Sequence, residues 1–319
     1  MSDFMSFDKT RWVWHNGKIV PWSDATVHIS AKVVQYGAGV FEGIRCYETQ
    51  EGPAIFRLKE HLDRFHASAA QYGMEIPFTR AALVEAICET ILRNGFTSCY
   101  IRPTCSYGSG RPGLRAEGCP LDVGILTWTA DPLMGAEGLK SGVRATVSKW
   151  TKFHFRMMPT TAKAAGGYIN SMLAVREAIA RGYDEAILLN AEGNIAEGSV
   201  ENIFIVQQGR LLTNDENSSI LLGITRDSVI QIARDLGYPV EIRDLQLSDL
   251  LTASEAFFTG TAADLLPIRE VDGTTIGSGE PGPVSKNLQQ VFFRITSGRE
   301  LRYRQWLHFV PAAAKAVGE

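Results

Sequence analysis

The sequence lacks the features of a membrane, secreted or nucleic-acid-binding protein. None of its apolar runs approaches the ~18 residues needed to cross a membrane, and its first residues, MSDFMSFDKTRW, contain no apolar signal core. The net charge of −3 over 319 residues leaves no basic excess to attract nucleic acid. We therefore expect a cytoplasmic protein whose partners are small molecules rather than nucleic acid or a membrane.

Cysteine is scarce and irregularly spaced. The five cysteines form no CxxC pair and have no zinc-type spacing with histidine, which indicates reduced thiols in a cytosolic protein. His61 and His66 are five residues apart, so a helix would place them on different faces rather than in the i, i+4 arrangement of a metal pair. No metal site is predicted.

Strand-like and helix-like patterns alternate along the chain. A length of 319 residues exceeds one comfortable hydrophobic core. We predict an α/β fold (α+β mixed) with two domains, residues 1–152 and 159–319, joined by a linker at 153–158. Between the strands of the first domain, the Gly- and Pro-rich segment Tyr107–Pro120 is predicted to be an irregular loop.

Local signals predict several element boundaries. Asn16-Gly17 and Gln208-Gly209 each lie between apolar runs and predict hairpin turns. Thr79 is predicted to cap one helix, and Thr225 to cap another over about Arg226–Leu236. The apolar run Gly39–Tyr47 predicts a strand.

Four segments concentrate residues that could carry chemistry. In TTAKAAGGYIN, Lys163 lies among Ala and Gly, which let a planar group approach the backbone, and a partly desolvated lysine is a nucleophilic amine able to form a Schiff base. Gly223 and Thr225 precede a helix whose positive end suits a phosphate. Gly260-Thr261 follows a strand and offers N–H groups to an oxyanion. Taken alone, each is more often an ordinary loop, capped helix or strand end.

The fourth segment, NAEGNIAEGSVENIF, carries two glutamates. Glu197 and Glu201 lie among apolar and small residues. A carboxylate beside a pyridine ring would keep the ring nitrogen protonated and strengthen the ring as an electron sink. The residue pattern alone leaves open which glutamate does so, and for each it also allows a solvent-facing turn position.

Taken together, these segments resemble a known family. The chain is similar to the class IV aminotransferases, the fold-type IV pyridoxal-phosphate enzymes, and most of all to their bacterial branched-chain amino acid members. The resemblance runs from about Trp12 to Phe293. It rests on seven motifs in order, namely YGAGVFEGIRCY, HLDRFHAS, YIRP, AKAAGGY, EGSVENIF, GITR and GTAAD.

The resemblance implies a role for each matching residue around pyridoxal 5'-phosphate, with the cofactor expected between the two domains. Lys163 would hold the cofactor as a Schiff base and shuttle the proton. Glu197 would pair with the pyridine nitrogen, and Tyr168 with the phenolic oxygen. The phosphate would be bound by a set of side-chain and backbone donors, namely Arg64, the Ile224 N–H, Thr225 and Thr261.

The resemblance also implies substrate residues. One pocket must accept a branched aliphatic side chain and the distal carboxylate of glutamate. The expected contributors are Tyr36, Phe41, Gly43, Arg45, Tyr100, Arg102, Tyr168, Trp150, Thr261 and Ala262. Arg102 would pair with the glutamate carboxylate. The backbone near Thr261 and Ala262, with the Tyr100 hydroxyl, would bind the α-carboxylate.

The implied activity is reversible amino transfer from L-leucine, L-isoleucine or L-valine to 2-oxoglutarate by a homodimer or higher homo-oligomer. The alternatives are a D-amino-acid or (R)-amine transaminase, an aminodeoxychorismate-type lyase on the same scaffold, and a non-catalytic cofactor-binding protein. Three features depart from the family pattern. Gly167 replaces a common Asn, Asn190 replaces a usual Asp, and the loop Tyr107–Pro120 with Arg111 and Arg115 is atypical. These departures bear on substrate preference rather than on the cofactor.

Overall fold

A computed structural model describes residues 5–130 and 134–312 of the chain. These residues belong to two compact units. One runs to Ala130 and resumes at Arg294, and the other extends from Asp131 to Phe293.

The two units contain both sheets and helices. Before Asp131 the strands are β1 (Met5–Ser6), β2 (Trp12–His15), β3 (Lys18–Pro21), β4 (Gly39–Phe41), β5 (Ile44–Thr49), β6 (Gly52–Phe56), β7 (Cys99–Tyr107) and β8 (Leu121–Ala130). After it they are β9 (Val143–Val147), β10 (Glu185–Leu189), β11 (Ile195–Gly198), β12 (Asn202–Gln207), β13 (Arg210–Thr213), β14 (Val240–Ile242), β15 (Glu255–Gly260), β16 (Asp264–Val271), β17 (Thr274–Thr275) and β18 (Leu307–Phe309). The helices are α1 (Lys32–Tyr36), α2 (Leu58–Gln71), α3 (Arg80–Asn94), α4 (Gly135–Ser141), α5 (Tyr168–Ala180), α6 (Ile224–Asp235), α7 (Leu247–Leu251) and α8 (Pro283–Thr296).

The first unit is built on one antiparallel sheet with the strand order β18-β6-β5-β7-β8-β2-β3. Helices α2 and α3 lie on one face of this sheet. The apolar side chains of the two helices, spaced by three and four residues, form its core and include Leu62, Phe65, Leu83 and Ile87, each at most 1% exposed. The opposite face of β7 therefore remains available for polar and aromatic side chains.

The local signals of this unit are confirmed. Asn16 and Gly17 have positive φ angles of 48° and 94° and join β2 to β3, as a tight hairpin turn requires. The Thr79 hydroxyl accepts the Ala82 N–H at 3.2 Å and begins α3. No helix or strand is assigned between Tyr107 and Leu121, so the predicted irregular loop is also present.

The predicted strand Gly39–Tyr47 is wrong as one element. It is divided into β4 and β5 at Glu42 and Gly43. The Glu42 carboxylate turns towards α2, where it meets Arg64 and His61. Because a Cβ atom on Gly43 would overlap the Tyr100 hydroxyl, only glycine fits at this break.

The second unit contains a mixed sheet with the order β11-β10-β9-β16-β15-β12-β13-β14. Its interior strand β12 is buried on both faces, with Ile203 and Ile205 in one layer and Phe204 stacked on Phe257 in the other. Gln208 and Gly209, with φ angles of 50° and 74°, form the predicted turn between β12 and β13.

The predicted start of the phosphate-type helix is wrong by two residues. The Asp227 N–H donates to the Gly223 carbonyl at 2.9 Å, so Gly223 is the N-cap and α6 begins at Ile224. Thr225 is therefore the second residue of the helix. A Cβ atom on Gly223 would overlap the Asn202 amide oxygen, which explains why glycine rather than threonine occupies the cap.

The division between units differs from the predicted domain boundary. β9, placed in the first domain by the sequence, pairs in parallel with β10 and β16 of the second unit. β18, placed in the second domain, pairs with β6 of the first unit. These pairings join residues distant in sequence, and local composition does not reveal them. The predicted linker 153–158 lies inside the second unit.

Across the described residues, no helix is both long enough and apolar enough to span a membrane.

Candidate active site

Lys163 and Tyr168 come together at the start of α5. Lys163 precedes a 3-10 turn, Ala165–Gly167, and α5 begins at Tyr168. The Lys163 Nζ donates a hydrogen bond to the Tyr168 hydroxyl at 2.7 Å and lies 5.1 Å from the ring centroid. The small neighbours Ala162 and Ala164 are buried, so the lysine lies in a tight, partly desolvated backbone segment. A half-buried amine beside a phenol is an arrangement suited to proton transfer.

Gly167, one of the unusual residues of this segment, packs against an aromatic ring. A Cβ atom there would lie 3.0 Å from Cζ of Phe153. Phe153 therefore occupies the space that a larger side chain at position 167 would need. The structure accounts for this departure by a compensating residue 14 positions earlier in the chain.

Glu197 is a buried carboxylate with three recorded donors. On β11, its Oε1 lies 2.6 Å from Nζ of Lys152. Its Oε2 accepts the Asn202 amide at 3.2 Å and the Leu221 N–H at 3.1 Å. Lys152 and Asn202 were not among the predicted site residues. Lys152 lies in a segment without periodicity, whereas Asn202 lay within the motif EGSVENIF and could have been singled out there.

Glu201 has a different environment. It is 2% exposed, its Oε2 accepts the Val200 N–H, and no hydrogen-bond partner for its Oε1 is found among the described residues. Burial raises the pKa of the Glu201 carboxyl well above its ordinary value of 4.5, and the nearby carboxyls of Glu185 and Glu197 raise this pKa further. The surroundings of Glu201 therefore favour its protonated form, whereas Glu197 faces the ammonium of Lys152.

The amide of Asn202 connects Glu197 to the N-terminus of α6. Its nitrogen donates to Glu197 and to the Leu221 carbonyl at 2.8 Å, and its oxygen accepts the Gly223 N–H at 3.1 Å. The first-turn N–H groups of Ile224 and Thr225 have no acceptor within the helix, as at every helix start. Together with the Thr225 hydroxyl they form a donor set that matches a phosphate.

The turn from β15 to β16 follows a strand that pairs with β12, the strand carrying Asn202. Thr261 and Ala262 occupy this turn and are half-buried. β15 pairs with β12, with Thr259 opposite Asn202. The side chain of Glu201 lies beneath Gly260, where a Cβ atom would be 3.4 Å from its Cγ. In the second unit, Asn202 on β12 thus links Glu197 to the α6 N-terminus, and the Thr261 turn follows β15, the strand paired with β12.

The first unit places an arginine among aromatic rings on the open face of its sheet. The guanidinium carbon of Arg102 lies 4.5 Å from the ring centroid of Phe41 and 5.4 Å from those of Tyr100 and Trp128. Tyr100 stacks on Trp128 with centroids 4.9 Å apart. The Nε atom of Arg102 is buried, with no hydrogen-bond partner among the described residues. Trp128 was not predicted, because only strand pairing places it opposite Tyr100.

Gly43 and Arg45 belong to the same surface. Arg45 pairs with Tyr100 across β5 and β7 and lies 4.9 Å from the Tyr47 ring. Gly43 leaves room for the Tyr100 hydroxyl. The structure therefore brings Phe41, Gly43, Tyr100 and Arg102 together.

Two of the predicted substrate-binding residues, Tyr36 and Trp150, are more exposed than the side chains around Arg102. Tyr36, at the end of α1, is 52% exposed, and its ring faces the Lys32 ammonium at 6.0 Å. Trp150, in the second unit, is 39% exposed and lies 5.5 Å from the Lys149 ammonium. Neither side chain is enclosed within its own unit.

Lys32 holds the atypical loop in place. Its side chain is 3% exposed and donates to the carbonyl oxygens of Arg111, at 3.0 Å, and Gly113. The Arg111 and Arg115 side chains are exposed. Lys32 was not predicted, since a buried lysine in a short helix has no local signature.

Arg64 is not a surface residue. Its side chain is only 14% exposed and forms a two-point ion pair with Glu42, through Nε at 2.6 Å and Nη2 at 2.9 Å. The helical stripe of Leu62 and Phe65 gave no indication of this pairing.

Comparisons with known proteins agree with this geometry. Residues 39–271 match the family model described as amino-transferase class IV. The chain is 44% identical to the branched-chain-amino-acid aminotransferase of Pseudomonas aeruginosa over 94% of this chain and 97% of that protein.

Solved structures that resemble this chain are also branched-chain amino acid aminotransferases. The T.th. branched-chain amino acid aminotransferase with pyridoxamine 5'-phosphate superposes with a TM-score of 0.92 at 44% identity, over 95% of this chain and 99% of that chain. The same protein has been solved with N-(5'-phosphopyridoxyl)-L-glutamate and with 4-methylvaleric acid. The Escherichia coli branched-chain amino acid aminotransferase superposes with a TM-score of 0.93 at 41% identity, over 95% of this chain and all of that chain.

Proposed function

This chain belongs to the class IV aminotransferases, and we propose that it transfers the amino group of L-leucine, L-isoleucine or L-valine to 2-oxoglutarate with pyridoxal 5'-phosphate as cofactor. The observation that carries the substrate assignment is the arginine Arg102 set among Phe41, Tyr100 and Trp128. Apolar rings suit a branched aliphatic side chain, and a guanidinium suits the distal carboxylate of glutamate. Both substrates of the reaction thus find a partner on one surface.

The residues present fit the cofactor by the chemistry of their donors. Thr225, Thr261 and the Ile224 N–H are neutral donors and Arg64 is a cation, as a phosphate dianion requires. Glu197 is a buried carboxylate that can accept a pyridinium N–H, whereas the raised pKa of Glu201 disfavours the charged form that such a pairing needs. The pairing with the pyridine nitrogen, which the residue pattern left open between the two glutamates, is therefore assigned to Glu197 in this proposal.

Each proposed site residue of the second unit then has a defined role in the reaction. Pyridoxal phosphate, when bound, supplies an electron sink for the electrons left by the departing α-proton. Lys163 Nζ takes that proton and later returns it, and the Tyr168 hydroxyl, 2.7 Å away, orients the amine. Glu197 keeps the ring nitrogen protonated, and Asn202 and the Leu221 N–H hold Glu197 in position.

The substrate carboxylates are assigned to separate groups. The α-carboxylate binds the backbone N–H groups near Thr261 and Ala262 with help from the Tyr100 hydroxyl, and the distal carboxylate of glutamate binds Arg102. The two ligand complexes of the T.th. enzyme support leucine and glutamate as the substrate pair, because 4-methylvaleric acid has the carbon skeleton of leucine and the other ligand contains L-glutamate.

We also propose that the enzyme is a homodimer or higher homo-oligomer and works in the cytoplasm. The support for assembly is the exposed apolar surface of the chain, including Ile29 (73% exposed), Ile169 (58%) and Met172 (65%). The five cysteines are free thiols, as a reducing compartment requires. Light scattering of the purified protein tests the oligomeric state.

A half-reaction test distinguishes the proposed function from its alternatives. L-leucine and L-glutamate, each added without an oxo acid, should abolish the visible absorption of the bound cofactor, and 2-oxoglutarate should restore it. D-leucine should leave the absorption unchanged. A response only to D-amino acids or (R)-amines would overturn the assignment, as would release of pyruvate from aminodeoxychorismate without an acceptor. Lys163→Ala should keep the fold and lose multiple turnover.

A further inference from the structure

A buried network of three ionisable side chains lies beneath the strand break of the first unit. The Glu42 carboxylate is completely buried. Its Oε1 accepts Nε of Arg64 at 2.6 Å, and its Oε2 accepts Nη2 of Arg64 at 2.9 Å. Oε2 also lies 2.7 Å from Nδ1 of His61, which is 1% exposed.

The network keeps Glu42 ionised. Burial alone would raise the pKa of this carboxyl, but the charges and hydrogen bonds of Arg64 and His61 hold the pKa far below its ordinary value of 4.5. A permanent carboxylate that accepts two parallel N–H groups fixes both the position and the plane of a guanidinium. The orientation of Arg64 is therefore set by Glu42 and not by the helix alone.

Glu42 also contacts the strand that carries the substrate wall. Its Oε2 accepts the N–H of Gly43 at 3.2 Å. Gly43 is the residue whose missing side chain makes room for the Tyr100 hydroxyl. One carboxylate thus connects the backbone beside Phe41 to the side chain of Arg64 on α2.

We propose that Glu42 is a positioning residue that, by its two-point pair with Arg64, aims the guanidinium at the cofactor phosphate and so determines how tightly that phosphate binds. The inference rests on the proposed function only in taking Arg64 as a phosphate ligand. Glu42 itself is completely buried, so it is assigned no contact of its own with phosphate or substrate. Its effect is therefore transmitted through Arg64, and this dependence can be measured.

The test is a double-mutant cycle on Glu42 and Arg64. Four proteins are compared, namely the native chain, Glu42→Gln, Arg64→Leu and the double variant. The apoproteins are titrated with pyridoxal phosphate and, separately, with inorganic phosphate, which reports on the phosphate site alone. Binding is followed by cofactor absorbance and by the rise in melting temperature.

We expect Arg64→Leu to weaken cofactor binding by about tenfold or more, as for the loss of a charge-assisted hydrogen bond. Glu42→Gln should weaken it by about fivefold while Arg64 is present, and by less than about twofold in the Arg64→Leu background. His61→Gln is the matched control. It removes the other partner of Glu42, keeps the arginine pair, and should leave the phosphate affinity within about twofold of the native value.

The outcomes separate the two proposals. If Arg64→Leu leaves cofactor and phosphate binding unchanged, the role assigned to Arg64 under the proposed function fails. If Arg64→Leu weakens binding but Glu42→Gln does not, or if the Glu42→Gln effect persists without Arg64, the positioning role fails. Should Glu42→Gln not fold, Glu42→Asp takes its place. It keeps the charge but cannot reach both guanidinium nitrogens, and unchanged phosphate binding in that variant would also overturn the inference.

Discussion

The ammonium of Lys152 lies 2.6 Å from Oε1 of Glu197, and both side chains are at most 8% exposed. A buried ion pair of this kind is costly to break, because the remaining charge loses its partner and stays out of water. This pair joins an unpredicted residue to the carboxylate proposed to face the pyridine ring.

Replacement of Lys152 should therefore destabilise the apoprotein. We expect Lys152→Met to lower the free energy of unfolding by roughly 3–5 kcal/mol, the range for removing one partner of a buried pair. Lys149→Met, the same change at an exposed lysine three residues earlier, should alter it by less than about 0.5 kcal/mol. Urea unfolding of both variants measures the difference. Equal stabilities would mean that Glu197 does not depend on Lys152.

The hydroxyls of Thr225 and Thr261 are predicted to bind the cofactor phosphate. Thr225→Val and Thr261→Val each remove one donor to a charged group, a bond worth roughly 1.5–3 kcal/mol. The dissociation constant of pyridoxal phosphate should rise at least several-fold in each variant. Thr275→Val, at an exposed position of β17, serves as the control. Unchanged cofactor affinity in both site variants would argue against this phosphate site.

Arg102 should discriminate between the two amino donors. Arg102→Leu removes the partner of the glutamate side-chain carboxylate, so kcat/KM for glutamate should fall by about tenfold or more. Leucine should be affected by only a few-fold, because its side chain meets Phe41 and Tyr100 and the replacement is apolar. Single-turnover titrations with each amino acid measure the two losses.

Arg93→Leu, at an exposed position of α3, is the control for that experiment. Losses of equal size for glutamate and leucine would show that Arg102 binds the common α-carboxylate or supports the fold. That result would also favour the D-amino-acid alternative, in which an arginine grips the α-carboxylate.

The raised pKa of Glu201 predicts that the stability of the protein depends on pH. Its pKa in the folded protein is raised above 4.5 by burial and by Glu185. The stability associated with the protonated form is fully present below pH 4.5. It is lost as the pH rises towards the folded pKa, because the unfolded chain releases the proton first. Glu201→Gln removes this loss, so the variant should gain stability relative to the native chain as the pH rises above 4.5.

Urea unfolding at several pH values checks this expectation. Glu192→Gln, at a glutamate whose side chain is 56% exposed, should show no comparable trend. A constant difference between Glu201→Gln and the native chain across the pH range would mean that Glu201 is ionised in the folded protein.

Local sequence determined the turns and many helix boundaries. Asn16-Gly17 and Gln208-Gly209 form hairpin turns because these residues accept positive φ angles irrespective of the rest of the chain. Thr79 caps α3 through a bond to a residue three positions away. The motif around Lys163 also gave the position of Tyr168, since five residues of backbone hold the amine and the phenol together. In each case the interacting groups are neighbours in sequence.

Only the tertiary structure determined the features that depend on residues distant in sequence, such as the strand break at Glu42 and the cap of α6. The strand break at Glu42 exists because Arg64 and His61, about twenty residues away, compensate a buried carboxylate. The N-cap of α6 is Gly223 and not Thr225, because the Asn202 amide occupies the space where a side chain at position 223 would lie.

The ion pair of Lys152, the place of Trp128 opposite Tyr100 and the return of β18 to the first sheet likewise arise from pairings across many residues. Such pairings are selected by burial, charge compensation and space in three dimensions. The sequence contains the residues that form these pairings, but only the folded chain determines which of them come into contact.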